Sequence, residues 1–134
     1  MLDNEEIEKI VSVLKLGGLA LISTDTVWSV CCHAFNEEGV RKIAKIKDRP
    51  EGIGMILLVS DNMHLAQFIT KIHPKAQGLL DYHTRPLTIV HDHHRNLPDF
   101  LLSRDGAIAV RVVQDEFCRK LIEYLEAPIL IDSA

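Results

Sequence analysis

The sequence predicts one α/β domain with a sheet that is at least partly parallel or mixed. Apolar runs of strand length alternate along the chain with amphipathic segments of helix length. The 134 residues fit a single domain, and a hydrophobic fraction of 47% is typical of a globular chain. There is no internal repeat, low-complexity tract or linker, so these elements are expected to share one sheet.

The first half of the chain predicts two helices and two strands. Asp3 or Asn4 can cap a first helix, which a pair of glycines ends at residues 17 and 18. The apolar run at residues 19–22 predicts a buried strand. Asn36 can cap a second helix, with two glutamates in its first turn and Pro50 after its end. The run at residues 55–59 predicts the next strand.

The second half continues the alternation. Ser60 is expected to cap a short helix, and Pro74 to open another that reaches about residue 80. Strands are predicted at residues 86–90, 107–113 and 128–131, with a polar loop after the first of them. Asp115 can cap the helix before the last strand.

Composition and charge exclude several classes. The net charge of −4 counts against nucleic-acid binding by bulk charge, although it allows a local basic patch. No apolar run approaches the roughly 20 residues of a membrane helix, and the N-terminus is acidic where a signal peptide is basic. The odd count of 3 cysteines does not suit a disulfide framework, so we interpret them as buried apolar residues. These features predict a cytoplasmic protein with no membrane partner.

The stretch LISTDTVWSV, residues 21–30, suggests a ligand site. An apolar strand ends there in three hydroxyl residues and one carboxylate: Ser23, Thr24, Asp25 and Thr26. A simple turn favours glycine, asparagine or proline. Small hydrogen-bonding groups are better suited to a strand end that faces a ligand.

The stretch RKIAKIKDRP, residues 41–50, carries a candidate anion clamp. Arg41, Lys42 and Lys45 are interpreted as a solvated helix face. Lys47 and Arg49 fall where the helix must end, and in an extended segment residues two apart point the same way. The two cations would then converge on a phosphate or carboxylate.

Arg111 lies in the apolar strand AIAVRVV. Both faces of this strand look buried, and an unpaired buried charge is costly. Its partner is either an internal carboxylate, such as Asp25 or Asp132, or a bound anion, and the sequence leaves both open.

The segment HDHHR, from His91 to Arg95, contains potential metal ligands but matches no zinc signature. We interpret it as a polar loop and predict no metal site. There is no GxGxxG, P-loop or GxSxG motif, so neither a dinucleotide fold nor a serine-hydrolase elbow is supported.

The ordered motifs resemble those of the YrdC family, the threonylcarbamoyl-AMP synthases of tRNA modification. The match covers nearly the whole chain. The order of the motifs makes the match more specific than any single motif does. The pieces are T-D-T-V-W at residues 24–28, K-D-R-P at 47–50, P-L-T at 86–88, A-V-R-V at 109–112 and S-A at 133–134.

The resemblance implies an open, twisted mixed sheet with flanking helices around a concave, positively charged cavity. It implies synthesis of threonylcarbamoyl-AMP and pyrophosphate from L-threonine, bicarbonate and ATP, usually with Mg²⁺. Partner proteins then transfer the group to an adenosine of tRNA (t6A modification). By similarity, Lys47, Arg49, Thr88 and Ser133 would bind ATP, and Thr24 and Arg111 would bind threonine. No residue is identified as catalytic.

This chain departs from the family pattern. Ser23, Trp28 and Ser29 replace a proline, a tyrosine and a glycine, and Ile53 replaces a lysine or asparagine. Asp132 places a carboxylate beside the expected phosphates. The resemblance also implies that the single domain, residues 1–134, lacks the family's C-terminal part. Two alternatives therefore stay open: a non-catalytic paralogue that binds a nucleotide or RNA, such as tRNA or double-stranded RNA, and an unrelated small α/β domain.

Overall fold

The computed structural model describes residues 4–24, 27–48 and 54–133. It confirms the predicted alternation of helices and strands. In chain order the elements are α1 (Asn4–Lys15), β1 (Ala20–Ser23), β2 (Trp28–His33), α2 (Glu37–Lys47), β3 (Ile56–Val59), α3 (Asn62–Ala66), α4 (Pro74–Tyr82), β4 (Thr88–His91), a 3-10 helix (Asp99–Leu101), β5 (Ile108–Val112), α5 (Glu116–Leu125) and β6 (Ile129–Ser133). None of these helices is long and apolar enough to cross a membrane.

The described strands form one open mixed sheet in the order β1-β2-β6-β3-β5-β4. β3 and β5 run parallel, and the other neighbours run antiparallel. The last strand in the chain, β6, therefore lies in the middle of the sheet between β2 and β3. This arrangement confirms the predicted α/β class with a mixed sheet.

The two faces of the sheet carry two hydrophobic clusters. Leu58 and Ile129 lie on the face covered by α1 and α5, which we call the α1/α5 face. Leu57 and Leu130, their chain neighbours, lie on the opposite face with α2, the α2 face. Because successive side chains of a strand point to opposite faces, the strand register assigns every other strand residue to one face.

Part of the α1/α5 face is open. α1 and α5 pack against each other and α1 contacts β1 and β2, at the far side of the sheet from β4. Over β4 and β5 the same face presents Thr88, Val90, Ala109 and Arg111, which we call the open patch. Val90 is 68% exposed there, so no described helix covers this end of the sheet.

Several predicted capping residues are confirmed. Asn36 precedes α2, and its Oδ1 accepts a 3.0 Å hydrogen bond from the amide of Gly39. Asp115 precedes α5, and its Oδ2 accepts a 2.7 Å bond from the amide of Cys118. Gly17, with φ of 81°, adopts the left-handed conformation just after α1, as expected for a helix stop.

The predicted start of α3 is wrong by one residue. Asp61 rather than Ser60 caps α3, because the Asp61 carboxylate accepts the His64 amide at 2.7 Å. The Ser60 amide instead donates to Nδ1 of His64 at 3.0 Å. Ser60 is buried in the bend that directly follows β3, one residue before the cap of the helix.

Two strand assignments also differ from the sequence prediction. β2 was not predicted, because its serine, cysteines and histidine give little strand signal. β4 begins at Thr88 rather than Pro86. Pro86 has no amide proton to donate to the ladder, so pairing starts after it.

Candidate functional site

Arg111 and Thr88 meet on the open patch. They are register partners on β5 and β4, and Nε of Arg111 donates a 3.0 Å hydrogen bond to Oγ1 of Thr88. This bond fixes one edge of the guanidinium group on a half-buried strand position. The two residues that were predicted from separate motifs therefore form one unit.

Asp132 does not fit as the internal partner of Arg111. Arg111 is in register with Leu58, and Leu58 with Ile129, which places Arg111 on the α1/α5 face. Asp132 is an odd number of residues from Ile129, so its side chain points to the α2 face. Asp25, the other carboxylate considered, lies outside the described residues.

Lys47 and Ser133 form a second unit. Lys47 is the last residue of α2, and its Nζ donates a 2.7 Å hydrogen bond to the carbonyl oxygen of Ser133 at the end of β6. The contact places an ammonium group at the end of the central strand. The predicted ATP-binding residues Lys47 and Ser133 thus lie side by side.

The extended geometry proposed for the K-D-R-P segment is wrong at its start. Lys47 is helical, and Asp48 has φ of 51° in the left-handed region, where its amide closes the end of α2. Lys47 therefore reaches Ser133 from a helix terminus rather than from a strand. Arg49, the second member of the predicted clamp, lies outside the described residues.

Thr24 lies in the turn that joins β1 to β2. Its amide and its hydroxyl both donate to the carbonyl oxygen of Val27, at 3.1 and 2.9 Å. Only 8% of Thr24 is exposed. The hydroxyl therefore helps to close the hairpin as well as lying at a strand end, while Asp25 and Thr26 fall outside the described residues.

One end of the sheet gathers Thr24, Ser133 and Lys47. Ile22 is in register with Ser29, and Ser29 with Ser133, so Thr24 lies two residues beyond the level of Ser133. Lys47 contacts Ser133 at this level. We call this end, with its three predicted residues, the polar rim.

The polar rim and the Thr88–Arg111 pair are separated along a diagonal. Arg111 is level with Ile129, four residues before Ser133 on β6 and two strands away. At about 3.3 Å per residue and about 4.8 Å per strand, the backbones are about 16 Å apart. A groove of about 400 Å³ lies over neighbouring positions of β3, β5 and β4 and is lined in part by Gly54, Ile56, Val90 and Ala109. The candidate site therefore has two cations, Lys47 and Arg111, at separate places on the sheet, with this groove near the second.

Comparisons with known proteins agree with this geometry. The family model Sua5_yciO_yrdC, described as "Telomere recombination", matches residues 12–134. The chain belongs to this family.

Individual relatives support the assignment. The chain is 26% identical over 136 residues to the threonylcarbamoyl-AMP synthase of Stutzerimonas stutzeri, covering 100% of this chain and 72% of that protein. It superposes with a TM-score of 0.88 and 26% identity on Pyrococcus abyssi Sua5 complexed with L-threonine, covering 99% of this chain and 39% of that one. Escherichia coli YciO shares the fold, with a TM-score of 0.85 and 22% identity over 98% of this chain and 64% of YciO.

Ser29 is a residue of this Sua5/YrdC family member that sequence reasoning did not place in the site. It is 1% exposed and lies between Ile22 and Ser133 on the same sheet face. The sequence showed it only as a serine where the family usually has glycine. Recognising β2 as a strand would have placed it, because alternation then puts Ser29 level with the polar rim.

The cysteines are not candidate nucleophiles. Cys31, Cys32 and Cys118 are all buried, as predicted. Burial raises the pKa of Cys31 and that of Cys32 to about 12, so both thiols stay protonated at neutral pH.

The histidine-rich segment shows no cluster of metal ligands within the described ranges 4–24, 27–48 and 54–133. No group of three or more histidine, cysteine, aspartate or glutamate residues there is arranged to hold a metal ion. The segment is also not entirely a loop, because His91 is the last residue of β4 and is 6% exposed.

Proposed function

We propose that this chain carries the substrate groove of a threonylcarbamoyl-AMP synthase, which joins L-threonine, bicarbonate and ATP and releases pyrophosphate for t6A modification of tRNA. The observation that carries the proposal is the pairing of motif residues at two places on the sheet. Thr88 contacts Arg111 on the open patch, and Lys47 contacts Ser133 at the polar rim.

The proposed reaction requires little covalent chemistry from the protein. The threonine amine is carboxylated, the carbamate oxygen attacks the α-phosphorus of ATP, and pyrophosphate leaves. Such a displacement depends on positioning and on positive charge around the phosphates. Two cations held at separate places on the sheet, Lys47 and Arg111, are suited to holding a nucleotide and a second anionic substrate.

Lys47 is proposed to stabilise the ATP phosphates. An ammonium group has three donors, and one of them already anchors Lys47 to the Ser133 carbonyl. That contact fixes the charge in place before the nucleotide binds. Arg49 and Ser133 are proposed to complete this part of the site.

Arg111 is proposed to bind the threonine carboxylate. Its Nε bond to Thr88 orients the planar guanidinium, which suits two-point recognition of a carboxylate. Thr88 would also line the nucleotide side. Thr24 lies beside β1, four strands from Arg111 on β5, so its predicted contact with threonine stays a prediction that is separate from the role proposed for Arg111.

Mg²⁺ is proposed to enter with the nucleotide. Mg²⁺ usually binds through substrate phosphates with one or two protein carboxylates rather than in a protein cage. We assign no step of the reaction to a protein-bound metal.

A second candidate function is a non-catalytic nucleotide-binding member of the family. Asp132 favours it, because this carboxylate is 3% exposed and adjoins Ser133, whose carbonyl holds Lys47. A carboxylate this near the polar rim would oppose the binding of phosphate groups unless a cation lies between them. Among the two ligand classes of this alternative, the net charge of −4 favours a nucleotide over RNA.

Pyrophosphate release distinguishes these functions. ATP is incubated with the protein with and without L-threonine and bicarbonate, and ATP binding is measured in parallel by calorimetry. Release that requires both co-substrates is the result expected for a synthase. ATP binding without release would favour the non-catalytic alternative, and the absence of ATP binding would contradict both.

A further inference from the structure

A second pocket lies on the α2 face of the sheet, near its β4 edge. It has a volume of about 300 Å³ and lies between residues 71–76 and the end of β4. Its walls are held together by backbone contacts. The amide of Thr70 donates to the carbonyl of His93 at 3.0 Å, and Ile69 and His94 form an isolated β-bridge. The pocket is thus built by two chain segments that are fixed to each other.

His91 lines this pocket as a buried polar group. The residue is 6% exposed, and within residues 4–24, 27–48 and 54–133 neither of its ring nitrogens has a hydrogen-bond partner. Those nitrogens are not sealed in the core, because in the same ranges the single fully buried side-chain polar atom without a partner is Nε2 of His83. The imidazole of His91 therefore meets the pocket itself.

The opposite wall presents hydrogen-bond donors. α4 begins at Pro74, and Nδ1 of His73 accepts the amide of Lys75 at 3.1 Å. The proton of neutral His73 is consequently on Nε2, which is a donor. Ala76 adds a first-turn amide at the positive end of the helix dipole, and Lys71 adds an ammonium group beside it.

We propose that this pocket binds a small oxyanion, either a phosphate or a carboxylate group. The pocket is lined by His91, His73, Lys71 and the amino end of α4. Each of these groups can donate a hydrogen bond to an anionic oxygen. Burial lowers the pKa of His91, so at neutral pH its ring is uncharged and offers one N–H group.

Asp92 is the one carboxylate at the pocket mouth among the described lining residues. Its side chain is 80% exposed and lies 3.6 Å from Nε2 of His93. Solvent screens the charge of this exposed carboxylate, so hydrogen-bond donors dominate the interior of the pocket. The pocket is distinct from the proposed substrate groove, because His91 and Arg111 lie on opposite faces of the sheet.

The test follows the histidine side chains by NMR in the whole chain at constant ionic strength. Inorganic phosphate, acetate and chloride are titrated separately, and the imidazole resonances of His91 and His73 are recorded. We expect both residues to shift with one shared, saturating curve for phosphate, acetate or both. Comparing the phosphate titration with the acetate titration distinguishes recognition of a phosphate from recognition of a carboxylate. Because the signals belong to His91 and His73, they report binding in this pocket rather than in the proposed substrate groove.

Matched variants sharpen the result. Lys71→Gln is expected to lower the affinity for the anion about threefold, which is typical of the loss of an exposed charge. Lys45→Gln, which removes an exposed lysine from α2, should leave the curve unchanged. His91→Leu should abolish saturation at His73, with the melting temperature as the check on folding. Linear shifts that chloride reproduces, equal effects of both lysine variants, or saturation by Zn²⁺ but not by either oxyanion would overturn the proposal.

Discussion

Nε of Arg111 lies 3.0 Å from Oγ1 of Thr88, its register partner on the neighbouring strand. The P-L-T and A-V-R-V motifs are separate in sequence, but the antiparallel pairing of β4 and β5 places their polar residues side by side. The Thr88 hydroxyl accepts this bond and thereby orients the Arg111 guanidinium on the open part of the sheet face. This relationship explains why β4 begins with a threonine and why an arginine lies within the otherwise apolar β5.

Replacing Thr88 tests whether its hydrogen bond to Arg111 contributes to ligand binding. Thr88→Val keeps the branched shape and removes the acceptor, and we expect the affinity for L-threonine or ATP to fall about threefold to tenfold, as for loss of one hydrogen bond. The melting temperature should change little because Thr88 is exposed. Thr88→Ser, which keeps the oxygen, is the control. Calorimetry that finds wild-type binding in Thr88→Val would show that the bond does not serve ligand binding.

Lys47 can be compared with a lysine of the same helix. Lys47→Met should lower the affinity for ATP at least about tenfold, because a charge-assisted contact to phosphate is lost. Lys45→Met removes an equal charge from an exposed position of α2 and should bind ATP normally. Thermal unfolding of both variants checks the fold. An equal loss in the two variants would reduce the role of Lys47 to general charge, and a lower melting temperature with normal ATP binding would make it structural.

Local signals in the sequence predicted much of the fold. Asn36 and Asp115 accept amide hydrogen bonds from residues of the first turn, and Gly17 has the left-handed conformation that ends a helix. These features depend on residues within one turn of each other, so sequence spacing contains the information. The mixed α/β class followed from the order of the elements.

The assembly of the site depended on contacts that spacing does not contain. Ser133 accepts a bond from Lys47, which is 86 residues away in the chain, and Ser29 lies beside Ser133 only because β2 pairs with β6. Strand order and register are long-range properties. The suggestion that Asp132 pairs with Arg111 failed for the same reason, since the face of each residue follows from register rather than from residue type.

The middle of the sheet should dominate stability. Leu130 is 1% exposed on the central strand β6, whereas Leu21 is 60% exposed on the edge strand β1. Leu130→Ala should lower the free energy of unfolding by about 2–5 kcal/mol through lost burial and a residual cavity. Leu21→Ala removes the same atoms from the surface and should cost less than about 1 kcal/mol. Urea unfolding measures both, and similar losses would contradict the assigned positions.

The buried thiols predict a stability loss at alkaline pH. Burial raises the pKa of Cys31 and that of Cys32 to about 12, whereas the pKa of a thiol in an unfolded chain is about 8.5. Above that lower value the unfolded chain binds fewer protons than the folded chain, so raising the pH favours unfolding. Each thiol contributes a loss of about 1.4 kcal/mol per pH unit between the two pKa values, and none at neutral pH.

Urea unfolding between neutral pH and mildly alkaline pH measures this slope. Lysine and tyrosine side chains also titrate at the alkaline end, so the slope is compared with that of Cys31→Ala, which keeps those groups and removes one thiol. The variant should be less stable at neutral pH because of its cavity, yet lose less stability as the pH rises. Parallel slopes in the two proteins would show that Cys31 ionises in the folded state as easily as in the unfolded chain, and would place it at an accessible position.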